Sequence, residues 1–574
     1  MNCNVLMTVN IFSGRYKYSM KLTPFIAVLM VLCILSACQE SVKPPEHDIV
    51  KTEEAWETRT TRNIQENLSY ALENNGTLND SIRIPFIKIA NSVYKDGNYE
   101  LIWSIKGATN RIADNLYSFI THARTYGLFP SDYSYSQLRN FRDLVHADTL
   151  AQKDAALWAR HDLVMTNSFL QLVKDLKHGR LPKDSTTLRK DSVLSDSFFV
   201  AQLQSAIQSR QLNDVLHALE PKYEGYDSIK AYLPRFLDSA KFVPYTYLQY
   251  PYTDSIAFYR SLAQRLLEEK LLDSGNVSPD TATLAAAIRK YQVSKKIKST
   301  GKPNENTVYS LNMTDQERFK IIAINLDRYK QMADTMPTTY VWVNLPSYML
   351  TVWDSGFVEF QSRVIVGSPK TSTPLLRSNI TNFITYPQWT VPYSIIFKEM
   401  LPAIQKNIGY LAKQNLMVVD KNDSIIDPAL INWSKLSKTN FPYLIKQRQG
   451  DDNSLGVIKF NFANKYSVYL HDTNARWLFT KSQRALSHGC VRVKEWEQLA
   501  NFLVRNVQDK YPADTLKAWI GRQEKHVVTG FPRVPVYIRY YTCEGKDGKL
   551  NFFEDIYRLD RILAEKYFAD KTLD

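Results

Sequence analysis

The residues of this chain best suited to chemistry lie toward its C-terminal end: His471-Asp-Thr473, then Ser487-His-Gly-Cys-Val-Arg-Val493. A cysteine reacts as its thiolate, and forming one takes a base or nearby positive charge. His471 and His488 both lie near Cys490 in sequence, and Arg476, Arg484 and Arg492 add positive potential. A neutral imidazole can take the thiol proton, whereas an imidazolium beside the sulfur would lower its pKa. The arginines favour both a thiolate and an anionic substrate. Gly489 opens backbone conformations closed to other residues, and the N–H groups of Gly489 and Cys490 are candidates to bind an oxyanion. Together these groups point to acyl transfer through a thioester. Two blander readings compete. A lone cysteine in an exported domain is commonly a buried apolar residue. His471, His488 and Cys490 could also be three ligands of Zn²⁺, but no CxxC, HExxH or obvious fourth ligand accompanies them.

Strands must position these groups. From Thr338 the pattern alternates: Tyr340-Val-Trp-Val-Asn-Leu345, Tyr348-Met-Leu-Thr-Val-Trp353, Phe357-Val-Glu-Phe360 and Arg363-Val-Ile-Val366, with Asp354-Ser-Gly356 as a hairpin turn. Strand-like runs return at Phe383-Ile-Thr385, Val457-Ile-Lys-Phe-Asn-Phe462 and Ser467-Val-Tyr-Leu470. A helix-rich insertion at about 400–447 separates the early strands from the late ones. An insertion of that length is commonly a lid or binding element. Upstream the periodicity is helical. Residues 52–250 read as a helical scaffold, clearest over Trp158–His178 with Gly179 as its stop. Residues 251–315 read as a small helical module and 316–337 as a connecting helix.

With the motif goes a resemblance. Ser487-His488-Gly489-Cys490, with His471 nineteen positions upstream, is similar to the signature of the L,D-transpeptidases with a YkuD-type catalytic domain. Further matches follow in order: Val366-Gly367, Thr373-Pro374, Trp389-Thr-Val-Pro392, Glu399, Pro402, Arg448-Gln-Gly450, Leu455–Phe460 and Tyr469–Thr473. The likeness is nearest to the large, multidomain periplasmic subgroup. Two positions depart from the family. Tyr386 stands where the subgroup usually has Asn, and Arg492 stands where the general signature often has Asn. Ala285-Ala-Ala-Ile-Arg-Lys-Tyr-Gln292, the turn at Ser299–Asn304 and Thr307–Asn312 resemble the three-helix peptidoglycan-binding module. The fold class implied is a multidomain α+β chain: a helical scaffold, the three-helix module and, over 338–574, a mostly-β YkuD-type sandwich with a helical insertion.

The resemblance implies a peptidoglycan cross-linking enzyme. Cys490 would attack the carbonyl of the third residue, a diamino acid, in a donor tetrapeptide stem. D-Ala leaves, and an amine of a neighbouring stem takes the acyl group, giving a 3→3 cross-link. His471 is assigned as base and acid, its ring oriented by the backbone carbonyl of Asp472 in place of a triad carboxylate. His488 is the rival base, more plausibly a site-shaping group. Tyr469, Arg484, Ser487, Arg492 and Trp389 are candidate walls of the substrate site. No metal or organic cofactor is required, and carbapenem sensitivity is implied. The competing enzyme reading is an L,D-carboxypeptidase or cross-link hydrolase using the same thioester. The competitor from another class is a non-catalytic lipoprotein that only holds peptidoglycan.

The chain has 574 residues, 44% hydrophobic and 23% charged, with 43 Gly and Pro in all, which excludes a disordered or collagen-like polymer. A net charge of +14 favours an anionic partner, but the basic residues are scattered and no RNA-binding signature accompanies them, so nucleic acid is not expected. Met20-Lys21 and the apolar run Phe25–Leu35 read as a signal peptide, too short to span a bilayer. Leu35-Ser-Ala-Cys38 resembles a bacterial lipobox, which implies cleavage and lipidation at Cys38 and a soluble body held at a membrane on the periplasmic side of a Gram-negative envelope. Residues 39–51 read as a tether. Of five cysteines only Cys490 and Cys543 then remain as thiols; they could pair in an oxidising compartment, but a nucleophile must stay free.

Overall fold

The computed structural model describes residues 43–571 except 80, 81, 192, 274–278 and 513. The expected signal peptide, Cys38 and the start of the tether lie outside the described residues. The rest of the expected tether is not free. The Asp48 N–H donates to Asp154 at 2.9 Å, the Asp48 carboxylate takes Arg59, and Ile49 bridges Asp154. The chain forms two compact units: residues up to 101 together with 148–163, and residues 102–147 together with 164 onwards. The region predicted as one helical scaffold is thus shared between them. Among the described residues no helix is long and apolar enough to cross a membrane.

In the first unit α1 (Glu53–Glu73) is capped by Thr52, whose hydroxyl accepts from Ala55, and buries Trp56, Ile64 and Leu68. Tyr94 donates to buried Asp162 at 2.5 Å. The helix predicted over Trp158–His178 is α2 (Ala155–Lys177), and Gly179 follows it in the left-handed conformation (φ 71°).

Residues 251–315 form three helices, α3 (Ser255–Glu268), α4 (Thr281–Ser294) and α5 (Glu305–Asn312), around a core that includes Leu262, Ile288, Tyr291 and Leu311. Buried Gln292 holds the turn between the last two helices. Its amide oxygen accepts from Thr300 and Gly301 (2.7 and 3.0 Å), and its amide nitrogen donates to the Lys302 carbonyl and Thr307 hydroxyl (3.0 and 2.9 Å). No other side chain of that length supplies both an acceptor and two donors.

The segment predicted as a connecting helix is central. α6 (Asp315–Lys330) is buried on most sides and packs Phe319, Ile322 and Leu326 against Tyr226, Phe129 and Cys543. Asn325 exchanges two 2.9 Å hydrogen bonds with Thr542, and Arg328 pairs with Asp560. A helix that is half polar by sequence is buried because those polar groups are paired.

The β-rich region has strands β1 (Tyr340–Asn344), β2 (Met349–Asp354), β3 (Phe357–Gly367), β4 (Leu376–Thr385), β5 (Trp389–Thr390), β6 (Leu416–Val419), β7 (Ile425–Ile426), β8 (Leu444–Gln447), β9 (Ile458–Phe462), β10 (Leu470–His471), β11 (Ala485–Ser487), β12 (Val491–Val493), β13 (Val527–Val528) and β14 (Val534–Arg539). The β2–β3 turn is the predicted one, with Ser355 and Gly356 both at positive φ. Strand order runs β9-β10-β12-β3-β2-β1-β14-β4, and β4 pairs again with β9. The expected sandwich is therefore one sheet closed on itself. Val341, Val343, Leu350, Val352, Val364 and Val491 share its core with Leu499 and Leu503 of α7 (Trp496–Val504).

The insertion is not simply helical. Its short helices between Tyr393 and Lys413 lead into a second antiparallel sheet, ordered β7-β6-β8-β5. It begins at Trp389 rather than 400, and it has its own core, including Ile396, Leu401, Val418, Trp433 and Ile445. The C-terminal boundary also moves. The hairpin Cys543–Lys546/Lys549–Phe552 and α8 (Leu559–Tyr567) send Cys543, Phe552 and Phe568 into the core around α6, not into the sheet.

Candidate active site

Strand alternation assembles the site. β10 and β12 are parallel neighbours, with Leu470 opposite Val491 and His471 opposite Arg492. Leu470 and Val491 point into the core. Tyr469, His471, Cys490 and Arg492 therefore share the opposite face. Across the other edge of β10, Lys459 pairs with His471 while Phe460 and Leu470 go to the core, so Lys459 joins that face. The Tyr469 ring meets the His471 ring edge-on at 5.5 Å and carries the Lys459 ammonium at 4.2 Å. The Tyr469 hydroxyl lies against the Cys490 thiol and the Trp389 indole.

Burial sets the ionisation states. His471 is 5% exposed, and desolvation, then the Arg492 guanidinium, push it down to about 3. Burial pushes the Cys490 thiol up, against Tyr469, Lys459 and Arg492, which favour its thiolate. The resting pair is thus a neutral imidazole and a protonated thiol, not an imidazolium–thiolate pair. Lys459 and Arg492 have their pKa values lowered by burial. Neither forms an ion pair with a carboxylate among the described residues, so the face is net positive. Cys490 and Cys543 are both free thiols, the latter in a different core.

The His471 ring lies against the backbones of Asp472 and Leu455, whose hydrogen bonding favours its protonated form. The Asp472 carboxylate instead fixes the turn after β10. It accepts from the Val457 N–H at 3.1 Å and from Arg476 at 2.6 Å, and a side chain at Gly456 would strike it.

The turn that carries the sulfur is clasped from behind. The Ser487 hydroxyl donates to the Cys490 carbonyl at 2.6 Å and accepts from the Gly489 N–H at 3.2 Å. The Ser487 carbonyl accepts from the Ser368 N–H (2.8 Å) and the Thr371 hydroxyl (3.0 Å). Ser487 is therefore a clamp, not a substrate wall. The Gly489 N–H is thus engaged with the Ser487 hydroxyl. Gly489 sits at φ 121°, a conformation that strains any side chain. Arg484 is likewise structural: it donates to the carbonyls of Val364, Lys481 and Tyr348 and stacks on Tyr348. Ser487→Ala is expected to lower turnover about tenfold with little change in KM, because it frees the turn rather than a substrate contact. Steady-state kinetics check this.

His488 reaches an acidic partner. Its Nε2 meets the Glu399 carboxylate at 2.8 Å, at the start of the insertion. His471, His488 and Cys490 do not form a metal-binding group.

Residues 338–537 match the family model of the YkuD L,D-transpeptidase catalytic domain. The C-terminal domain belongs to the YkuD family. Residues 88–233 match that of a scaffold domain. A curated protein of Haemophilus influenzae named "Putative L,D-transpeptidase" is 34% identical over 243 residues, 42% of this chain. The match spans 48% of that relative, about half its length. Among solved structures, an L,D-transpeptidase from Stackebrandtia nassauensis shares 16% identity over 52% of this chain and 97% of its own, with a TM-score of 0.15. An Enterococcus faecium L,D-transpeptidase shares 13% over 36% and 53%, with a TM-score of 0.16.

Within this L,D-transpeptidase domain, Tyr469 and Arg492 lie beside the Cys490 thiol, and Trp389 meets the Tyr469 hydroxyl. Lys459 was missed, although its signal was present: a lysine out of phase with the core positions Ile458 and Phe460 of β9. The departure at Tyr386 has a physical reading. Its φ is 41°, a region where Asn is tolerated better than a bulky side chain. Its hydroxyl is held by Asp451 at 2.8 Å, and its N–H by the Val457 carbonyl at 2.8 Å.

Proposed function

We propose that this chain is a peptidoglycan L,D-transpeptidase that forms 3→3 cross-links through a thioester on Cys490. One observation carries the reading: the Cys490 thiol and the His471 imidazole on one sheet face, with Tyr469 touching both and Lys459 and Arg492 beside them. Neutral His471 takes the thiol proton as the sulfur attacks the carbonyl of the diamino acid, and the Cys490 N–H faces the developing oxyanion. The imidazolium so formed gives its proton to the departing D-Ala amine. The acceptor amine then displaces the sulfur, returning the proton to the pair. Lys459 and Arg492 suit the carboxylates of the stem.

The test is intact-mass detection of an acyl adduct on Cys490 after exposure to a tetrapeptide donor or a carbapenem, followed by product analysis. Stem dimers support transfer. Tripeptides alone would make the enzyme a hydrolase, and no adduct at all would leave a non-catalytic binder of the wall.

The insertion is read as a lid that keeps water from the thioester, so that the amine wins. Its own core allows removal as a unit. Replacing it with a short linker should raise the ratio of tripeptide to dimer several-fold, and an unchanged ratio would remove the lid. The segment ending in Cys38 is read as a lipid anchor on the periplasmic side. Cys38→Ala should shift the protein from the membrane to the soluble fraction, as seen by fractionation; retention in the membrane would count against the anchor.

A further inference from the structure

The loop behind the catalytic turn, residues 367–373, is closed by a side chain from much later in the chain. The Tyr557 hydroxyl donates to the Gly367 carbonyl at 2.7 Å and accepts from the Thr373 N–H at 3.1 Å. One hydroxyl thus ties the two ends of the loop together. The Thr373 hydroxyl adds a tie, accepting from the Gly367 N–H at 2.8 Å. Across the loop the Ser368 and Thr371 hydroxyls meet at 2.8 Å. The loop is too tight for a side chain at Gly367, whose Cβ would come within 2.2 Å of the Thr371 carbonyl oxygen.

The turn that carries Cys490 leans on this loop. The end of β3 pairs with β11, Gly367 opposite Ser487. The Ser487 carbonyl rests on the Ser368 N–H and the Thr371 hydroxyl, and the Ser487 hydroxyl clasps the Cys490 carbonyl. Gly489 backs onto the loop as well: a Cβ there would meet the Thr371 carbonyl oxygen at 3.7 Å. A shift of the loop is therefore passed on to Cys490.

Tyr557 is itself fixed from the far side. Its ring stacks on that of Tyr540 at 5.8 Å, and its N–H donates to the Tyr540 hydroxyl at 2.9 Å. That hydroxyl donates to buried Asp555 at 2.5 Å, whose other carboxylate oxygen accepts from the Arg561 N–H at 2.9 Å. Ile556 packs in the core of the sheet, and Phe568 in the core around α6, so the segment is anchored in both. Tyrosine supplies what the loop needs, a rigid arm ending in a group that donates and accepts at once. We propose that Tyr557 is a positioning residue for the reaction at Cys490, fixing the loop and, through Ser487, the aim of the sulfur. This role rests on the reading of Cys490 as the nucleophile. A misplacement of about 1 Å costs turnover rather than binding.

Tyr557→Phe removes the hydroxyl alone and keeps the ring on Tyr540, so the full chain still folds, as a cooperative thermal melt checks. Acylation of Cys490 by a carbapenem is followed by intact mass. The maximal rate is expected to fall about tenfold, with the half-saturating concentration within about twofold of the parent's. Adding Ser487→Ala should then cost less than about twofold more, because both cuts fall on one chain of hydrogen bonds. Hydrogen exchange supplies a readout that needs no reaction: the amides of residues 485–491 should exchange about tenfold faster in Tyr557→Phe. A parent that forms no adduct would sink the reading of Cys490, and the exchange rates would still decide the tie. The role of Tyr557 is overturned if the folded variant acylates at the parent's rate, if its loss lies in the half-saturating concentration, if the two substitutions multiply, or if exchange at 485–491 is unchanged.

Discussion

Cys490→Ala is expected to abolish the acyl adduct and to cut turnover about ten-thousandfold or more, the scale seen when a covalent nucleophile is removed. The sulfur sits at the mouth of β12 and takes no part in the sheet's core, so the loss is chemical rather than structural. Cys490→Ser should rescue nothing. A hydroxyl is far harder to deprotonate than a thiol, and an imidazole held near 3 is a weak base. Cys543→Ala should keep one full adduct, because Cys543 is buried in the core around α6. Intact mass separates the three variants, and an adduct on the Cys490→Ala protein would place the chemistry elsewhere.

The ionisation states add a second reading of the same atom. With the thiol above its usual 9.0 and His471 down to about 3, the free protein holds almost no thiolate at neutral pH. Alkylation by iodoacetamide should rise about tenfold per pH unit through neutrality and level off only above pH 9. A thiolate–imidazolium pair would instead give a plateau reaching down to acid pH. Such a plateau would overturn the neutral resting pair.

His471→Ala ranks second, with an expected loss of about a hundred- to ten-thousandfold in turnover. Alkylation at pH 10 should hardly change, since hydroxide has by then done the work of the base. A variant equally slow in both assays would point to collapse of the site rather than loss of a base. His471 also marks the stability profile. Its folded pKa lies below the ordinary 6.5, so the unfolded chain binds the proton first. Stability is therefore lost as pH falls from about 6.5 toward 3 and is retained above that window. His471→Gln should flatten that part of the profile, as followed by denaturant unfolding.

The clamp on the catalytic turn explains why neighbours in sequence take different roles. Ser487, His488, Gly489 and Cys490 are consecutive, yet Ser487 turns inward, His488 reaches the insertion and the Gly489 N–H serves Ser487. Only Cys490 stays on the reactive face. Arg484 and Arg492 look interchangeable as positive charges, but Arg484 is used up on three carbonyls.

By itself the amino-acid sequence determined what is local. The alternation of β1 to β3, the Ser355-Gly356 turn, the stop at Gly179 and the Gln292 turn follow from side-chain period and backbone preference over a few residues. Cys490 and His471 stand out as the proposed nucleophile and base because their types and spacing are those the proposed chemistry needs. Only the tertiary structure decided which way each side chain of the turn points, that β4 returns to β9, that α6 is core, and that the insertion carries its own sheet. It alone also set the resting protonation of His471 and Cys490. Strand partners distant in the chain and the removal of water from a charged group depend on the whole packed molecule, and no short stretch of residues encodes them.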